Sequence, residues 1–141
     1  MAIHFFEEDI RFNLLHKTKI KNWLKLIVNN EGFKIKELNY IFCSDEYLYE
    51  INKEYLQHET YTDIITFDNS EASLIIEGDI YISIERVKEN AVAHNQVFDE
   101  ELLRVLSHGV FHLCGYHDKA SSEQELMRLK ENEAIELYKK N

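Results

Sequence analysis

The chain has 141 residues, of which 45% are hydrophobic and 30% charged, a composition typical of one globular domain with a sizeable core. It contains no apolar run of about 18 residues, so the sequence predicts no membrane-spanning helix. Its net charge of −10 argues against a protein that binds nucleic acid over its whole surface. Two cysteines, no linker and no secretory-signal pattern predict one cytoplasmic domain over residues 1–141.

The first predicted element is an amphipathic helix over residues 14–32. Lys17, Lys21 and Lys25 recur every four residues and therefore form a stripe on its outer face. Residues 11–36 carry seven basic side chains against one acidic side chain, although the whole chain is acidic. The stripe is a candidate docking surface for a polyanion, and a solvated helix face is the alternative.

Strands are predicted mainly in the first half of the chain. Residues 33–44 alternate between apolar and polar side chains and then become apolar, which predicts a strand that enters a sheet. A short helix is predicted next, over residues 46–56. Two further strands are predicted at 63–67 and 73–84, the second interrupted near Gly78.

Helices are predicted in the second half of the chain, over residues 85–95, 100–114 and 122–139. Asp99 is the expected N-cap of the middle helix, and Ser122 with Glu125 has the spacing of a capping box for the last one. This separation of strands from helices predicts an α+β layered domain.

The end of the middle helix carries the segment HGVFHLCGYHD, residues 108–118. His108 and His112 are four residues apart, so they project from one face of the helix about 40° apart, and both imidazoles can reach one ion at about 2 Å. Gly115 fits the left-handed residue that ends a helix. The reversal that follows can bring back Asp118 or His117 as a third ligand.

The pattern H-x-x-x-H-x-x-G-x-x-D has the spacing of the long zincin motif, with Asp118 where the third histidine usually stands. Three protein ligands on a tetrahedral zinc ion leave one position for water, which is typical of a catalytic site. His117 is the alternative third ligand, or a group beside it. Gly109 stands where H-E-x-x-H proteases have their general base, which disfavours peptide hydrolysis and leaves phosphodiester cleavage.

The same segment resembles the H-G-x-L-H-L-x-G-Y-D-H signature of the YbeY endoribonuclease (rRNA maturation factor) family. NKEYLQHETYTDIITF, residues 52–67, resembles that family's N-x-x-Y-R-x-x-D-x-P-T-D-V-L-S-F block. EGDIYIS, residues 77–83, is similar to its L-G-D-I-x-I-S strand. The three segments lie in the family's order, and the resemblance covers most of the chain.

The resemblance implies a mixed sheet of about four strands packed with about five helices, including a zincin-like metal helix. It implies a metal-dependent endoribonuclease that prefers single-stranded RNA and acts in rRNA maturation, at the 3′ end of the small-subunit rRNA, and in ribosome quality control. One Zn²⁺ ion per chain is the expected cofactor. RNA and the small ribosomal subunit are the expected partners, with no membrane and no DNA.

Carried over by position, the expected metal ligands are His108, His112 and Asp118. The candidate catalytic residues are His108, Asp63 and His117, and the candidate substrate-binding residues are Thr62, Lys17, Lys21 and Lys25. The nucleophile is either a metal-bound water or the ribose 2′-OH.

Three departures from the family pattern bear on function. The family's final D-H reads H-D here, at His117 and Asp118, so the third ligand changes type. Leu56 replaces the family's arginine, a natural phosphate-binding cation, and Tyr61 replaces its proline. His58 could replace that cation when protonated, or could be a solvated loop residue. Two rival functions therefore remain: another metallohydrolase such as a peptidase, and a ribosome assembly factor with a structural metal and little nuclease activity.

Overall fold

The computed structural model describes residues 2–58 and 60–141, which form a four-stranded sheet and five helices. The elements in chain order are β1 (Ala2–Glu7), α1 (Lys17–Asn30), β2 (Lys34–Cys43), α2 (Asp45–Leu56), β3 (Ile64–Asp68), β4 (Ile75–Ser83), α3 (Ile84–Ala93), α4 (Phe98–Leu113) and α5 (Ser121–Lys140). The predicted α+β class is confirmed. None of the helices in the described residues is both long and apolar enough to cross a bilayer.

The sheet is mixed, in the strand order β1-β2-β4-β3. β1 runs parallel to β2 and β2 runs parallel to β4, whereas β3 pairs with β4 in antiparallel fashion. The sequence patterns did not indicate β1. Ile3 is the only buried residue of β1, which is an edge strand and contributes little to the core. The sequence of β1 therefore carries almost no periodic hydrophobic signal.

The main core lies between one face of the sheet and helices α1, α3, α4 and α5. A smaller apolar cluster on the opposite face joins α2 to the sheet. Two buried hydrogen bonds fix the layers: the Tyr40 hydroxyl donates to the Leu106 carbonyl at 2.7 Å, and the Trp23 indole N–H donates to the Ala134 carbonyl at 2.7 Å. These bonds connect α4 to β2 and α5 to α1, and α4 and α5 carry the site described below.

Two predicted helix starts are wrong. Val97, not Asp99, is the N-cap of α4, because Phe98 packs against the core and begins the helix earlier; Asp99 lies in its first turn. The predicted Ser122–Glu125 pair does not cap α5. Instead the Glu123 carboxylate accepts a hydrogen bond from the Ala120 backbone N–H at 2.9 Å.

The predicted interruption at Gly78 is also wrong, since β4 continues through this residue, which is paired with Leu38 on β2 and Asp68 on β3. A Cβ atom at this position would lie 2.7 Å from the Phe67 carbonyl oxygen and 3.1 Å from the Leu113 methyl carbons. The glycine therefore allows the end of α4 to lie directly against the sheet.

We expect Gly78→Ala to lower the free energy of unfolding by about 1–3 kcal/mol, because the backbone oxygen of Phe67 cannot move away as a flexible side chain could. Urea unfolding measures this change. Glu77→Ala, a change at the neighbouring position of β4, is the control and should shift stability by less than about 0.5 kcal/mol. Equal effects of the two substitutions would contradict the packing argument.

Candidate metal centre

The end of α4 is a Schellman motif, which reverses the chain. Gly115 has a φ of 101°, as the sequence predicted for the residue that ends this helix. Its N–H donates to the His112 carbonyl at 3.0 Å, and the Tyr116 N–H donates to the Phe111 carbonyl at 3.0 Å. The reversal places Asp118 beside the helix that it has just left.

Three donor atoms meet at this reversal. The Nε2 atoms of His108 and His112 are 2.9 Å apart, and Oδ2 of Asp118 lies 3.1 Å from the first and 3.3 Å from the second. Ligands about 2.0–2.1 Å from a tetrahedral zinc ion lie about 3.3 Å from one another. Within residues 2–58 and 60–141, these side chains form the only group of three His, Cys, Asp or Glu residues close enough to hold a metal ion.

The outer nitrogen atoms of both imidazoles have acceptors. His112 Nδ1 lies 2.9 Å from the Tyr116 carbonyl, and His108 Nδ1 lies 2.6 Å from a Glu131 carboxylate oxygen. Because both partners accept hydrogen bonds, Nδ1 carries the proton in each ring. When neutral, the two rings therefore direct unprotonated Nε2 lone pairs at each other and towards the Asp118 carboxylate. A cation between the three donors removes this repulsion, so the residues fit a metal ion.

Glu131 is a residue of this site that the sequence analysis missed. It lies on α5 with a side chain only 7% exposed, and its second oxygen accepts from Arg104 at 3.1 Å. Arg104 also donates to Asn132 at 3.0 Å. Burial acts to lower the pKa of His108, but the hydrogen bond and charge of Glu131 outweigh it and raise this pKa above the usual value.

A sequence signal for Glu131 did exist. The buried residues of α5 are Met127, Glu131, Ala134 and Ile135, at the spacing of one helix face. A carboxylate on an otherwise apolar stripe needs a buried partner, because an unpaired buried charge is costly. The identity of that partner, His108 on another helix, depends on how α5 docks against α4.

Gly109 has a packing role at the site. A Cβ atom there would lie 2.8 Å from a terminal methyl carbon of Ile80 and 3.3 Å from one of Ile64. The helix face next to His108 is thus pressed against β3 and β4. This close contact explains in physical terms why the position after His108 carries no side chain.

The donors line a cleft of about 820 Å³ whose walls also include Thr62 and Asp63. Burial raises the pKa of Asp63, and the charge of His108 partly opposes the rise. The cleft thus brings together the predicted metal ligands and two of the other predicted site residues.

The remaining predicted site residues lie elsewhere. His117 is exposed and does not line the cleft, and the three donor atoms include Asp118 in its place. Lys17, Lys21 and Lys25 are exposed on α1 and also lie outside the cleft lining. Their roles stay predictions.

Glu101 on α4 is a second carboxylate that the sequence analysis did not single out. Its residue exposure is 4%, and Oε1 is buried with no hydrogen-bond partner among the described residues. The Nδ1 atom of His94 lies 4.0 Å from this oxygen, beyond hydrogen-bond distance. Burial raises the pKa of Glu101, and the charges of Arg104 and His94 partly oppose the rise.

The fold and the cleft define an α+β protein in which three side chains that could hold a metal ion meet at the end of a buried helix. A sequence model of the family described as Endoribonuclease YbeY matches residues 3–139. The chain therefore belongs to the endoribonuclease YbeY family, and the predicted resemblance is confirmed.

Individual relatives agree with this assignment. The chain is 53% identical over 138 residues to Endoribonuclease YbeY of Cytophaga hutchinsonii, covering 98% of this chain and 96% of that one. It is 52% identical over 136 residues to Endoribonuclease YbeY of Christiangramia forsetii, covering 96% and 94%. The solution structure of TM1509 from Thermotoga maritima is similar with a TM-score of 0.66 and 27% identity, over 97% of this chain and 89% of that chain.

We expect Glu131→Gln to weaken zinc binding about 10–100-fold, because a neutral amide holds the Nδ1 proton of His108 less strongly and makes Nε2 a poorer donor. Competition with a chromophoric chelator measures the affinity. Glu133→Gln, on the same helix with a side chain 70% exposed, is the control and should bind zinc like the wild type. Equal affinities of the two variants would refute the role of Glu131.

We expect Glu101→Gln to increase the free energy of unfolding at pH 7. The folded state raises the pKa of this carboxyl, so ionisation opposes folding at neutral pH. As the pH falls through the folded pKa, the wild-type carboxyl becomes protonated and the advantage of the variant shrinks, vanishing below the unfolded value of about 4.3.

Urea unfolding from pH 4 to pH 7 tests this dependence on Glu101. Glu125→Gln, at an exposed position of α5, should show little gain at any pH. A gain for Glu101→Gln that is absent at pH 7, or equal at pH 4 and pH 7, would contradict the expectation.

Proposed function

We propose that the protein is a zinc-dependent endoribonuclease that cleaves single-stranded RNA in the cleft beside α4. The observation that carries the proposal is the convergence of Nε2 of His108, Nε2 of His112 and Oδ2 of Asp118, with both Nδ1 atoms already bonded. Family membership supplies the reaction, since the relatives are named as endoribonucleases.

His108, His112 and Asp118 would hold the ion. Two imidazole nitrogens and one carboxylate oxygen form a donor set that suits zinc. When bound, such an ion supplies Lewis acidity, which polarises a phosphoryl oxygen and acidifies a coordinated water molecule.

The other residues of the chain act around this centre. Glu131 holds the proton on Nδ1 of His108, and the Tyr116 carbonyl holds the one on Nδ1 of His112, so both rings keep a fixed orientation. Asp63 lies in the same cleft with a raised pKa, which suits proton transfer to or from the substrate, and Thr62 can contact the RNA. The stripe formed by Lys17, Lys21 and Lys25 would contact RNA outside the cleft.

The biological substrate in this proposal is ribosomal RNA. Family resemblance supports a role at the 3′ end of the small-subunit rRNA and in ribosome quality control, with the small subunit as partner and the cytoplasm as location. Two cysteines without a disulfide, Cys43 and Cys114, are consistent with that compartment.

A ribosome assembly factor with a structural metal is the second candidate function. Leu56 favours it, because it lines the cleft at the position where the family block has an arginine. A nuclease that lacks this cation needs another source of positive charge.

We expect His112→Ala to abolish metal-dependent cleavage of single-stranded RNA, since it removes one of three donors. The exposed His117, outside the cleft lining, provides the comparison: if Asp118 is the third ligand, His117→Ala should retain zinc affinity. Cleavage gels, zinc titration and analysis of the product ends are the measurements.

A 2′,3′-cyclic phosphate would identify the 2′-OH as nucleophile, whereas a 5′-phosphate would indicate attack by water.

Accumulation of precursor rRNA in cells separates the two candidate functions. The endoribonuclease proposal expects cells with His112→Ala to accumulate precursor as deletion cells do. Normal processing by His112→Ala, with zinc-dependent cleavage absent in vitro, would refute the enzyme and favour the assembly factor.

A further inference from the structure

This inference rests on the proposed function in one respect, namely that the substrate of the cleft is RNA. The negative charge of the cleft would repel the phosphates of such a substrate. The lining of the cleft includes five acidic residues: Asp63, Asp68, Glu101, Asp118 and Glu131. A backbone phosphate next to the one being cleaved would enter a negatively charged surface. Favourable binding requires cations that are not already neutralised.

Among the described residues that line the cleft, three are lysine or arginine: Arg104, Lys119 and Arg128. Arg104 is not available. Its side chain is 14% exposed and forms an ion pair with Glu131 at 3.1 Å and a hydrogen bond with Asn132 at 3.0 Å. Its charge stabilises the carboxylate that orients His108.

Lys119 and Arg128 are different, since both are exposed and neither forms an ion pair with any residue in 2–58 or 60–141. Lys119 directly follows Asp118, one of the three donors. Arg128 lies three residues before Glu131 on α5, almost one helical turn away. Both cations therefore originate beside the metal centre, on the wall formed by α5 and the turn before it.

The electrostatics of Glu101 give a second indication that Arg128 reaches the cleft. Burial raises the pKa of this carboxyl, and the charge of Arg128 is among those that oppose the rise. Leu56, which also lines the cleft and is 42% exposed, is apolar and supplies no positive charge.

We propose that Lys119 and Arg128 are the phosphate-binding residues of the cleft, and that they hold the RNA backbone next to the phosphate at the three-donor centre. In this arrangement the cations act from α5 and the turn before it, and Leu56 contributes apolar contact elsewhere in the cleft lining. Positive charge stays out of the donor pocket itself, where it would compete with a metal ion.

The salt dependence of RNA binding tests this proposal. For single-stranded nucleic acid, each phosphate contact contributes about 0.7 to the slope of log K against log salt concentration. The double substitution Lys119→Ala with Arg128→Ala should therefore reduce the magnitude of the slope by about 1.4. Fluorescence anisotropy with a labelled single-stranded RNA and the full metal-loaded chain measures the slope at times before cleavage begins, and gels of the same samples show that the RNA is still intact.

Matched variants make the result specific. Lys88→Ala with Lys140→Ala removes the same charge at exposed positions outside the cleft lining and should leave the slope unchanged. Lys119→Arg with Arg128→Lys keeps both charges and should retain the wild-type slope. Circular dichroism shows that each variant is folded.

An unchanged slope in the cleft variant, or an equal reduction in the Lys88/Lys140 control, would overturn the proposal. Its failure is distinguishable from failure of the proposed function. Wild-type protein that cleaves RNA with zinc while the cleft variant shows no change in slope refutes only the assignment of Lys119 and Arg128. Wild-type protein that never cleaves RNA refutes the proposed nuclease.

Discussion

The structure depends on one arrangement at the end of α4, where three donor atoms are held at 2.9–3.3 Å from one another and repel each other when unprotonated. Neutral imidazoles whose Nδ1 atoms are both bonded cannot relieve this repulsion by exchanging tautomers. A proton or a metal ion can relieve it. A divalent cation is the stronger of the two because it satisfies all three donors together.

Much of the surrounding fold keeps these donors in place. The absence of side chains at Gly78 and Gly109 lets α4 lie against the sheet, and the left-handed Gly115 turns the chain back towards the helix. Glu131 reaches His108 because the Trp23 hydrogen bond and the apolar residues of α5 fix that helix against the core. The Tyr116 hydroxyl donates to Glu31 at 2.6 Å, which holds the turn whose carbonyl accepts from His112.

The cleft separates two kinds of charge. Carboxylates lie around the donor pocket, where they favour a cation, and the lysine and arginine without ion pairs lie on the α5 wall, where they favour a polyanion. A protein with a net charge of −10 can therefore bind RNA through a few local contacts instead of a broad basic surface. Such a distribution favours a strand that enters the cleft.

The sequence predicted the part of the site that is local in the chain. His108, His112, Gly115 and Asp118 lie within eleven residues, so helix geometry and one turn are enough to bring them together. Glu131 could not be assigned in this way, because its contact with His108 joins two helices whose docking depends on the whole core. The edge strand β1 was missed for the opposite reason, since it buries too little to leave a periodic pattern.

The most direct test of the metal centre is a zinc titration of the ¹⁵N-labelled protein, followed by the ring nitrogen signals of His108 and His112. The account predicts one zinc ion per chain, with both Nε2 resonances shifting on binding while both Nδ1 atoms keep their protons. Zinc bound through Nδ1, or an excess of zinc that leaves both rings unchanged, would contradict it.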